Sequence, residues 1–258
     1  MLRGRVAVRL YAMTCGWLTG AMAGFLAGEH GRLRVPVPSF LIEHPRGLVL
    51  FDSGMHPDAG TDPAARLGPA APFFTVELGP TEDVAGRLAA LDVDAGRVAL
   101  LVNSHLHFDH TGGNARVPNA RLVVQRREWA AGHDPDGIAA NYYDPRDYDT
   151  GHDLMLVDGE HDLFGDGRVV CLPTHGHTPG HQSLRVRLDS GDVVLAADAC
   201  YLRRTLDALH LPSIVHDRDA MLAALHRLRA LRDAGARIVY GHDPEDWGTV
   251  PQAPRPLT

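Results

Sequence analysis

Short apolar runs of strand length recur along the chain and are separated by turns rich in glycine, proline and aspartate. The run at 98–102 is apolar without interruption, which is typical of a strand buried on both faces. The turn at 44–47 contains a proline and a glycine, and it predicts a hairpin between the runs that flank it. Runs of this kind predict strands at 6–11, 37–43, 48–52, 98–102, 122–125, 169–172, 183–188, 192–197 and 237–240.

Two stretches have the spacing of a helix instead. At 81–91 three apolar residues share one face, and at 220–231 a leucine recurs at every third position. Strands dominate both halves and helices lie between them, which predicts a mixed α/β (α+β) fold of packed sheets with helices outside. The chain shows no internal repeat and no linker, so we expect one domain over 1–258, with a flexible proline-rich tail at 251–258.

Composition narrows the class of protein. The chain has 258 residues, of which 45% are hydrophobic, so it can bury a sizeable core. The net charge of −7 and the lack of a dense arginine cluster argue against binding to nucleic acid, which needs a basic face. All 25 basic residues are arginine, which excludes a catalytic lysine.

The cysteines and the N-terminal region bear on the compartment. Three cysteines, widely spaced and without a C-x-x-C pair, argue against a disulfide framework and favour a reduced, cytoplasmic chain. The apolar run at 15–27 follows several arginines, as in a signal peptide, but it is too short to span a bilayer. Glycine recurs there at every fourth position, and we interpret 15–28 as a small-residue segment near a binding site, with a cleaved signal as the alternative.

The strongest chemical signal is SHLHFDHTGG at 104–113, directly after the apolar run at 98–102. In extended chain, residues two apart point the same way, so His105 and His107 can converge on one metal ion. Asp109 and His110 follow where the chain must turn and can face a second ion. Four ligand-type side chains within six residues at the end of a strand have the spacing of a metal site.

Further ligand-type residues follow other predicted strands. Three histidines lie in THGHTPGHQS at 174–183. Asp198 follows the predicted strand at 192–197, and His242 follows the predicted strand at 237–240. Polar groups at strand ends above an apolar scaffold are typical of a rigid site.

With these residues the chain resembles the metallo-β-lactamase superfamily and, within it, the N-acyl homoserine lactone lactonases, or quorum-quenching lactonases. The resemblance runs from the first strand to His242. The strings that carry it are SHLHFDHTGGN at 104–114, VVQRREW at 123–129, GHTPGHQSL at 176–184, DACY at 198–201 and YGHD at 240–243.

The resemblance implies an αββα sandwich of two mixed sheets that holds two zinc ions, or other divalent metals, at one edge. It implies that three histidines hold the first zinc, namely His105, His107 and His177. It implies that Asp109, His110 and His242 hold the second zinc and that Asp198 bridges the two. Of His175 and His177, we favour His177 as the ligand because it keeps the register of GHTPGH.

The resemblance also suggests roles beyond metal binding. Tyr201 matches a tyrosine that contacts the substrate carbonyl or the leaving oxygen, and Asp52 would orient a ligand imidazole. His181 is expected either to support a ligand residue or to be structural, and Cys200 is expected to be a buried, inert thiol. The small-residue segment and Phe73-Phe74 are candidates for an apolar wall along an acyl chain.

The implied activity is zinc-dependent hydrolysis of a carboxylic ester, with metal-bound hydroxide opening the ring of an N-acyl homoserine lactone. In this hypothesis Asp109, Asp198 and Tyr201 are the catalytic residues. The alternatives are another lactone of the pyridoxolactone kind, a thioester as in glyoxalase-type enzymes, a phosphotriester, or a zinc-binding sensory module without activity. The expected partner is a small acyl lactone, with no nucleic acid and no membrane span, and the chain is expected to be a monomer or a homodimer.

Overall fold

The structure is a computed structural model that describes residues 7–257. Its first seven strands form the larger of two β-sheets. These strands are β1 (Arg9–Ala21), β2 (Arg32–His44), β3 (Gly47–Phe51), β4 (Thr75–Glu77), β5 (Val98–Val102), β6 (Arg121–Gln125) and β7 (Leu154–Val157). They lie side by side in the order β4-β1-β2-β3-β5-β6-β7. Pairing is antiparallel from β4 to β3 and parallel from β3 to β7, so the sheet is mixed.

The smaller sheet has five strands. They are β8 (His161–Asp162), β9 (Val169–Pro173), β10 (Gln182–Leu188), β11 (Gly191–Leu195) and β12 (Arg237–Val239). Their order is β12-β11-β10-β9-β8, and only the pair β11 and β12 is parallel.

Helices connect the strands. The α-helices of the described range are α1 (Pro63–Leu67), α2 (Val84–Ala89), α3 (Phe108–Thr111), α4 (Arg126–Ala131), α5 (Pro135–Asn141), α6 (Pro145–Tyr148), α7 (Arg203–Ala208), α8 (Arg218–Asp233) and α9 (Pro244–Trp247). Short 3-10 segments occur at Met22–Gly24, Pro57–Gly60, Gly68–Phe73, Ala95–Arg97, Asn114–Arg116 and Ala197–Ala199. Between residues 7 and 257, no helix has the length and apolar character needed to cross a membrane.

The two sheets pack face to face, and period-two alternation sorts their side chains between the layers. In β9, for example, Val169 and Cys171 point into the core between the sheets, whereas Val170 and Leu172 pack on the outer side against α8. On the other side of the molecule, α2 covers the outer face of the larger sheet. These layers form the αββα sandwich that the sequence predicts.

The first strand departs from its prediction. Residue 6, where the strand was expected to begin, lies outside the described residues, and β1 continues to Ala21 through half of the small-residue segment. The pairing with β2 shifts between Thr14 and Trp17, where Gly16 has a φ of +92°. A Cβ at Gly16 would lie 2.7 Å from Met55 Cε and 2.8 Å from the backbone oxygen of Glu77, so close neighbours require glycine at this position.

The tail at 251–258, which we expected to be flexible, contacts β1 in the residues that the structure describes. Ala253 donates a backbone hydrogen bond to Ala12, and Leu257 donates one to Leu10. Leu257 is 2% exposed and belongs to the core between the sheets. Burial of this apolar side chain outweighs the low propensity of the neighbouring prolines for regular structure.

Candidate metal centre

The seven predicted ligands meet at one edge of the sandwich, because each follows the end of a strand. His105, His107, Asp109 and His110 come after β5 in the larger sheet. The smaller sheet supplies the other three, with His177 after β9, Asp198 after β11 and His242 after β12. They form two groups in which one ligand atom from each residue lies within 4.8 Å of the others.

In the first group, three imidazole nitrogens face one another. His107 Nδ1 lies 2.9 Å from His105 Nε2 and 3.1 Å from His177 Nε2. Oδ2 of Asp198 completes the group at 3.7 Å from His105 Nε2 and 3.4 Å from His177 Nε2. Tetrahedral ligands 2.0–2.1 Å from a zinc ion are spaced by roughly 3.3 Å, so these four atoms are close to the spacing of one coordination shell.

The second group lies on the other side of Asp198. Oδ1 of Asp198 is 3.2 Å from His110 Nε2 and 3.1 Å from His242 Nε2. Asp109 Oδ2 approaches the same two nitrogens at 3.6 and 3.5 Å. One carboxylate therefore offers a different oxygen to each group, as a bridging ligand does.

Two backbone carbonyls orient imidazoles of this centre. His107 Nε2 donates to the carbonyl oxygen of Asn141 at 2.8 Å, and His242 Nδ1 donates to that of Pro36 at 2.8 Å. A carbonyl can only accept, so the ring nitrogen that bonds it carries the hydrogen. The opposite nitrogen of each ring is then available to bind a metal.

Asp52 connects one imidazole of each group through hydrogen bonds. Its Oδ2 lies 2.9 Å from Nδ1 of His110 and accepts a hydrogen bond from Ser104 Oγ at 2.8 Å. Ser104 Oγ lies in turn 2.9 Å from His105 Nδ1. The carboxylate thus orients one imidazole directly and a second through a hydroxyl, which extends the role that the sequence suggests for it.

Burial and charge act differently on the two groups. Burial lowers the pKa of His105 and His177 well below the usual range, so both rings are neutral at neutral pH. Burial also opposes a charge on His110, but the carboxylates of Asp198, Asp109 and Asp52 outweigh it and raise its pKa well above the usual range. Burial likewise disfavours ionised Asp198, yet His110 and His242 hold its pKa well below the usual range.

The residues fit a pair of divalent metal ions. His110 Nε2 and Asp198 Oδ1 are buried and have no hydrogen-bond partner, although both are polar and face the same space. Buried polar atoms of this kind are normally satisfied, and a cation between them would satisfy both. Neutral imidazoles and carboxylates are the ligands that a borderline divalent ion prefers.

Aromatic side chains border the centre. Tyr201 places its hydroxyl 3.4 Å from His177 Nδ1, and burial followed by the charges of Asp198 and Asp109 raises its pKa well above the usual range. The ring of Phe25 lies 5.5 Å from that of Tyr201, and Phe74 lies 5.7 Å from Phe108. Phe73, in contrast, is 62% exposed.

The other candidate residues lie around the centre without joining it. His175 Nδ1 bonds the carbonyl oxygen of His181, which takes that ring away from the ligand groups. His181 uses both nitrogens, since Nε2 accepts from the backbone of Asp198 and Nδ1 bonds Thr174. Cys200 is a buried free thiol, and burial raises its pKa well above the usual range.

Some residues that matter for the centre gave no signal in the sequence. Asn141 and Pro36 act through backbone carbonyls, which any residue type provides. Glu128 stands within the string VVQRREW, yet the pattern assigns it no role, because its contacts come from distant segments of the chain.

Comparison with known proteins agrees with this geometry. The model of the metallo-beta-lactamase superfamily matches residues 32–242. The N-acyl homoserine lactonase AttM of Azorhizobium caulinodans is 34% identical over 256 residues, covering 96% of this chain and 97% of the relative. AttM of Rhizobium radiobacter is 33% identical over 256 residues, with the same coverage.

A solved structure is also similar. It is an N-acyl homoserine lactone hydrolase with the product N-hexanoyl-L-homoserine bound at its catalytic metal centre. The identity is 25%, the TM-score is 0.87, and the match covers 97% of this chain and 99% of that one. By its fold, its strand-end ligands and these matches, the chain belongs to the metallo-beta-lactamase superfamily.

Proposed function

We propose that this chain is a single-domain hydrolase over 1–258 that opens the ring of N-acyl homoserine lactones. The observation that carries the proposal is the position of Asp198, whose two oxygens face separate groups of ligands beside the Tyr201 hydroxyl. The similarity to N-acyl homoserine lactonases along nearly the whole chain supports the substrate class.

Two divalent ions, which we propose to be zinc, would be held by these seven residues. The first would be held by His105, His107 and His177, the second by Asp109, His110 and His242, and Asp198 would be shared. Bound ions of this kind lower the pKa of water and polarise a carbonyl oxygen.

The chain's own residues position the substrate and move the proton. Tyr201 stays protonated because its pKa is raised, so its hydroxyl can donate to the carbonyl oxygen as negative charge develops there. Asp109 or Asp198 would pass a proton to the departing ring oxygen.

The reaction consumes one water molecule. Water oxygen bonds to the carbonyl carbon, and the bond from that carbon to the ring oxygen breaks. One proton from water ends on the ring oxygen as a hydroxyl, and the new carboxylic acid releases the other at neutral pH. The product is a ring-opened N-acyl homoserine.

An apolar wall beside the centre suits the acyl chain. Phe25 packs against Tyr201 and His242, and Phe74 packs against Phe108, which lies between two of the ligands in the chain. A Cβ at Gly20 would lie 3.1 Å from the ring of Phe74, so the small-residue segment lets this ring pack against β1. Burial of the acyl chain against these rings would contribute about 0.8 kcal/mol per methylene group.

The direct test is a substrate panel with metal analysis of the purified protein. The panel contains homoserine lactones of several acyl lengths, a pyridoxolactone-type lactone, a thioester and a phosphotriester. We expect acid release from the homoserine lactones and two zinc ions per chain. Hydrolysis of thioesters or phosphotriesters alone would overturn the proposed substrate class.

A pair of variants tests the roles of the ligands. Asp198→Asn should abolish hydrolysis and reduce bound metal, because the shared carboxylate loses its charge. Asp192→Asn is the matched control, since this aspartate pairs with Arg187 on the far hairpin of β10 and β11 and should leave both properties unchanged. If Asp198→Asn kept both metals and near wild-type hydrolysis, the proposed mechanism would be wrong.

A further inference from the structure

Glu128, on α4, is a fully buried carboxylate surrounded by uncharged donors. Its Oε1 accepts from the backbone N–H of Leu106 at 3.1 Å and from the hydroxyl of Tyr143 at 2.6 Å. Its Oε2 accepts from the hydroxyl of Thr178 at 2.9 Å and from the backbone N–H of Gly180 at 2.6 Å. An ionised carboxylate has about four acceptor sites, and here each oxygen receives two donors.

Three of the four donors belong to the two loops that carry the histidines of the first ligand group. Leu106 lies between His105 and His107, and Thr178 directly follows His177. The third segment is the one after α5, where Tyr143 lies two residues from Asn141, whose carbonyl oxygen accepts from His107. One side chain therefore joins the two loops that present the histidines of the first group to the segment that orients His107.

The packing around Glu128 is as close as its hydrogen bonding. A Cβ at position 180 would overlap the backbone of Glu128, so glycine is required for this loop to lie against α4. Burial raises the pKa of Glu128, while its hydrogen bonds to Tyr143, Gly180, Thr178 and Leu106 favour the ionised form. A carboxylate in such a place is costly unless its acceptor sites are used.

We propose that Glu128 is a positioning residue for the first metal group, fixing the loop of His105 and His107 relative to the loop of His177. The inference rests on the proposed function only in that it takes these histidines as ligands. Glu128 lies outside the ligand groups and acts through two backbone amides and two hydroxyls.

The variant Glu128→Gln isolates this role because it keeps size and removes one acceptor oxygen. Whichever way the amide is turned, its NH2 group faces one hydroxyl and one backbone N–H. The hydroxyl can rotate to accept, but the backbone N–H of Leu106 or of Gly180 is left facing a second donor. One of the two ligand loops must then move.

The experiment measures metal binding rather than catalysis. Zinc affinity is determined by chelator competition, Co²⁺ absorption reports the coordination of each group, and the melting temperature is taken with and without metal. In Glu128→Gln we expect the ion of the first group to bind about 10–100-fold more weakly, with an altered Co²⁺ spectrum for that ion alone. The metal-induced rise in melting temperature should shrink.

Asp83→Asn is the matched control. Asp83 is also buried and also accepts from a backbone N–H, that of Gly86, but it caps α2 and contacts neither ligand loop. It should lower the melting temperature of the metal-free and the loaded forms alike, without a change in metal affinity. Should Glu128→Gln fail to fold, Tyr143→Phe removes a single donor from Oε1 and should weaken the same ion to a smaller extent.

The proposal is wrong if Glu128→Gln behaves like Asp83→Asn, with both metal affinities and the Co²⁺ spectrum unchanged. It is equally wrong if the ion that is weakened proves to be the one held by His110 and His242. None of these measurements requires lactone turnover, so a negative result in the substrate panel leaves this test intact.

Discussion

Tyr201 shows how much one atom can contribute at the scale of single residues. Its ring packs edge-on against Phe25, with centroids 5.5 Å apart, and tilted against His242 at 5.6 Å. Its hydroxyl is the only part that differs from phenylalanine, and it points toward His177. Packing and chemistry can therefore be separated at this position.

Under the proposed function, Tyr201→Phe should keep the fold and the bound metal but lose a donor to the developing negative charge. We expect kcat on a homoserine lactone to fall by about 10–100-fold, less than for a lone oxyanion donor because metal ions would share the charge. Steady-state kinetics with metal analysis measures this effect. Tyr142→Phe is the control, since Tyr142 is 56% exposed and should have wild-type kinetics. Equal kcat in Tyr201→Phe and wild type would remove Tyr201 from the mechanism.

At this scale the sequence predicts some residues and misses others for a physical reason. His105, His107, Asp109 and His110 reveal themselves because ligands that lie close together in the chain leave a spacing pattern. Glu128 leaves none, since its four donors come from positions between 106 and 180. Their proximity depends on the tertiary fold.

At the scale of elements, the loop after β9 is held in place by the segment that begins α8. Asp217 donates a backbone hydrogen bond to Gly176, and His216 donates one to His177. Gly176 has a φ of +126°, and a Cβ there would overlap the backbone of Met221. The position requires glycine both for its conformation and for its space.

Gly176→Ala should therefore destabilise the protein by roughly 2–5 kcal/mol, from backbone strain and overpacking together. Chemical denaturation of the metal-free protein measures the change in the free energy of unfolding. Gly24→Ala is the matched control, because a Cβ at Gly24 meets nothing within 4 Å and should change stability by less than about 0.5 kcal/mol. A neutral Gly176→Ala would show that the loop is not fixed against α8.

The strands illustrate which elements can be predicted. The continuous run at Val98–Val102 has the predicted bounds because its pattern is purely local. In β2 the predicted start is five residues late, since Pro36 argues against extending the strand toward the N-terminus, whereas the observed strand contains both Pro36 and Pro38. They are tolerated because they pair with Trp17 and Thr14, on either side of the irregularity in β1. Such compensation between strands is not visible in either strand alone.

At the scale of the whole molecule, the candidate centre lies across the boundary between the sheets. The larger sheet contributes four ligands and the smaller sheet three, while the apolar core between the sheets lies below them. Bound ions would therefore connect the two halves of the sandwich at this edge.

Removal of metal should lower the melting temperature. If each ion is present at about 100 times its dissociation constant, two ions stabilise the native state by about 5 kcal/mol in total. For a chain of this size we expect chelation to lower the melting temperature by about 10–20 °C, measured by calorimetry before and after dialysis against a chelator. Restored zinc should reverse the change. A chelated protein that melts at the original temperature would argue against ions that link the sheets.

The division of Asp198 between two groups has a consequence for how the protein fills with metal. Since Oδ2 faces one group and Oδ1 the other, a single rotamer of this side chain serves both positions. Occupancy of one position fixes that rotamer and alters the charge felt at the other, so the two uptake steps are coupled. Titration with zinc should then require a two-step isotherm with unequal constants, and a variant of Asp198 should change both steps at once.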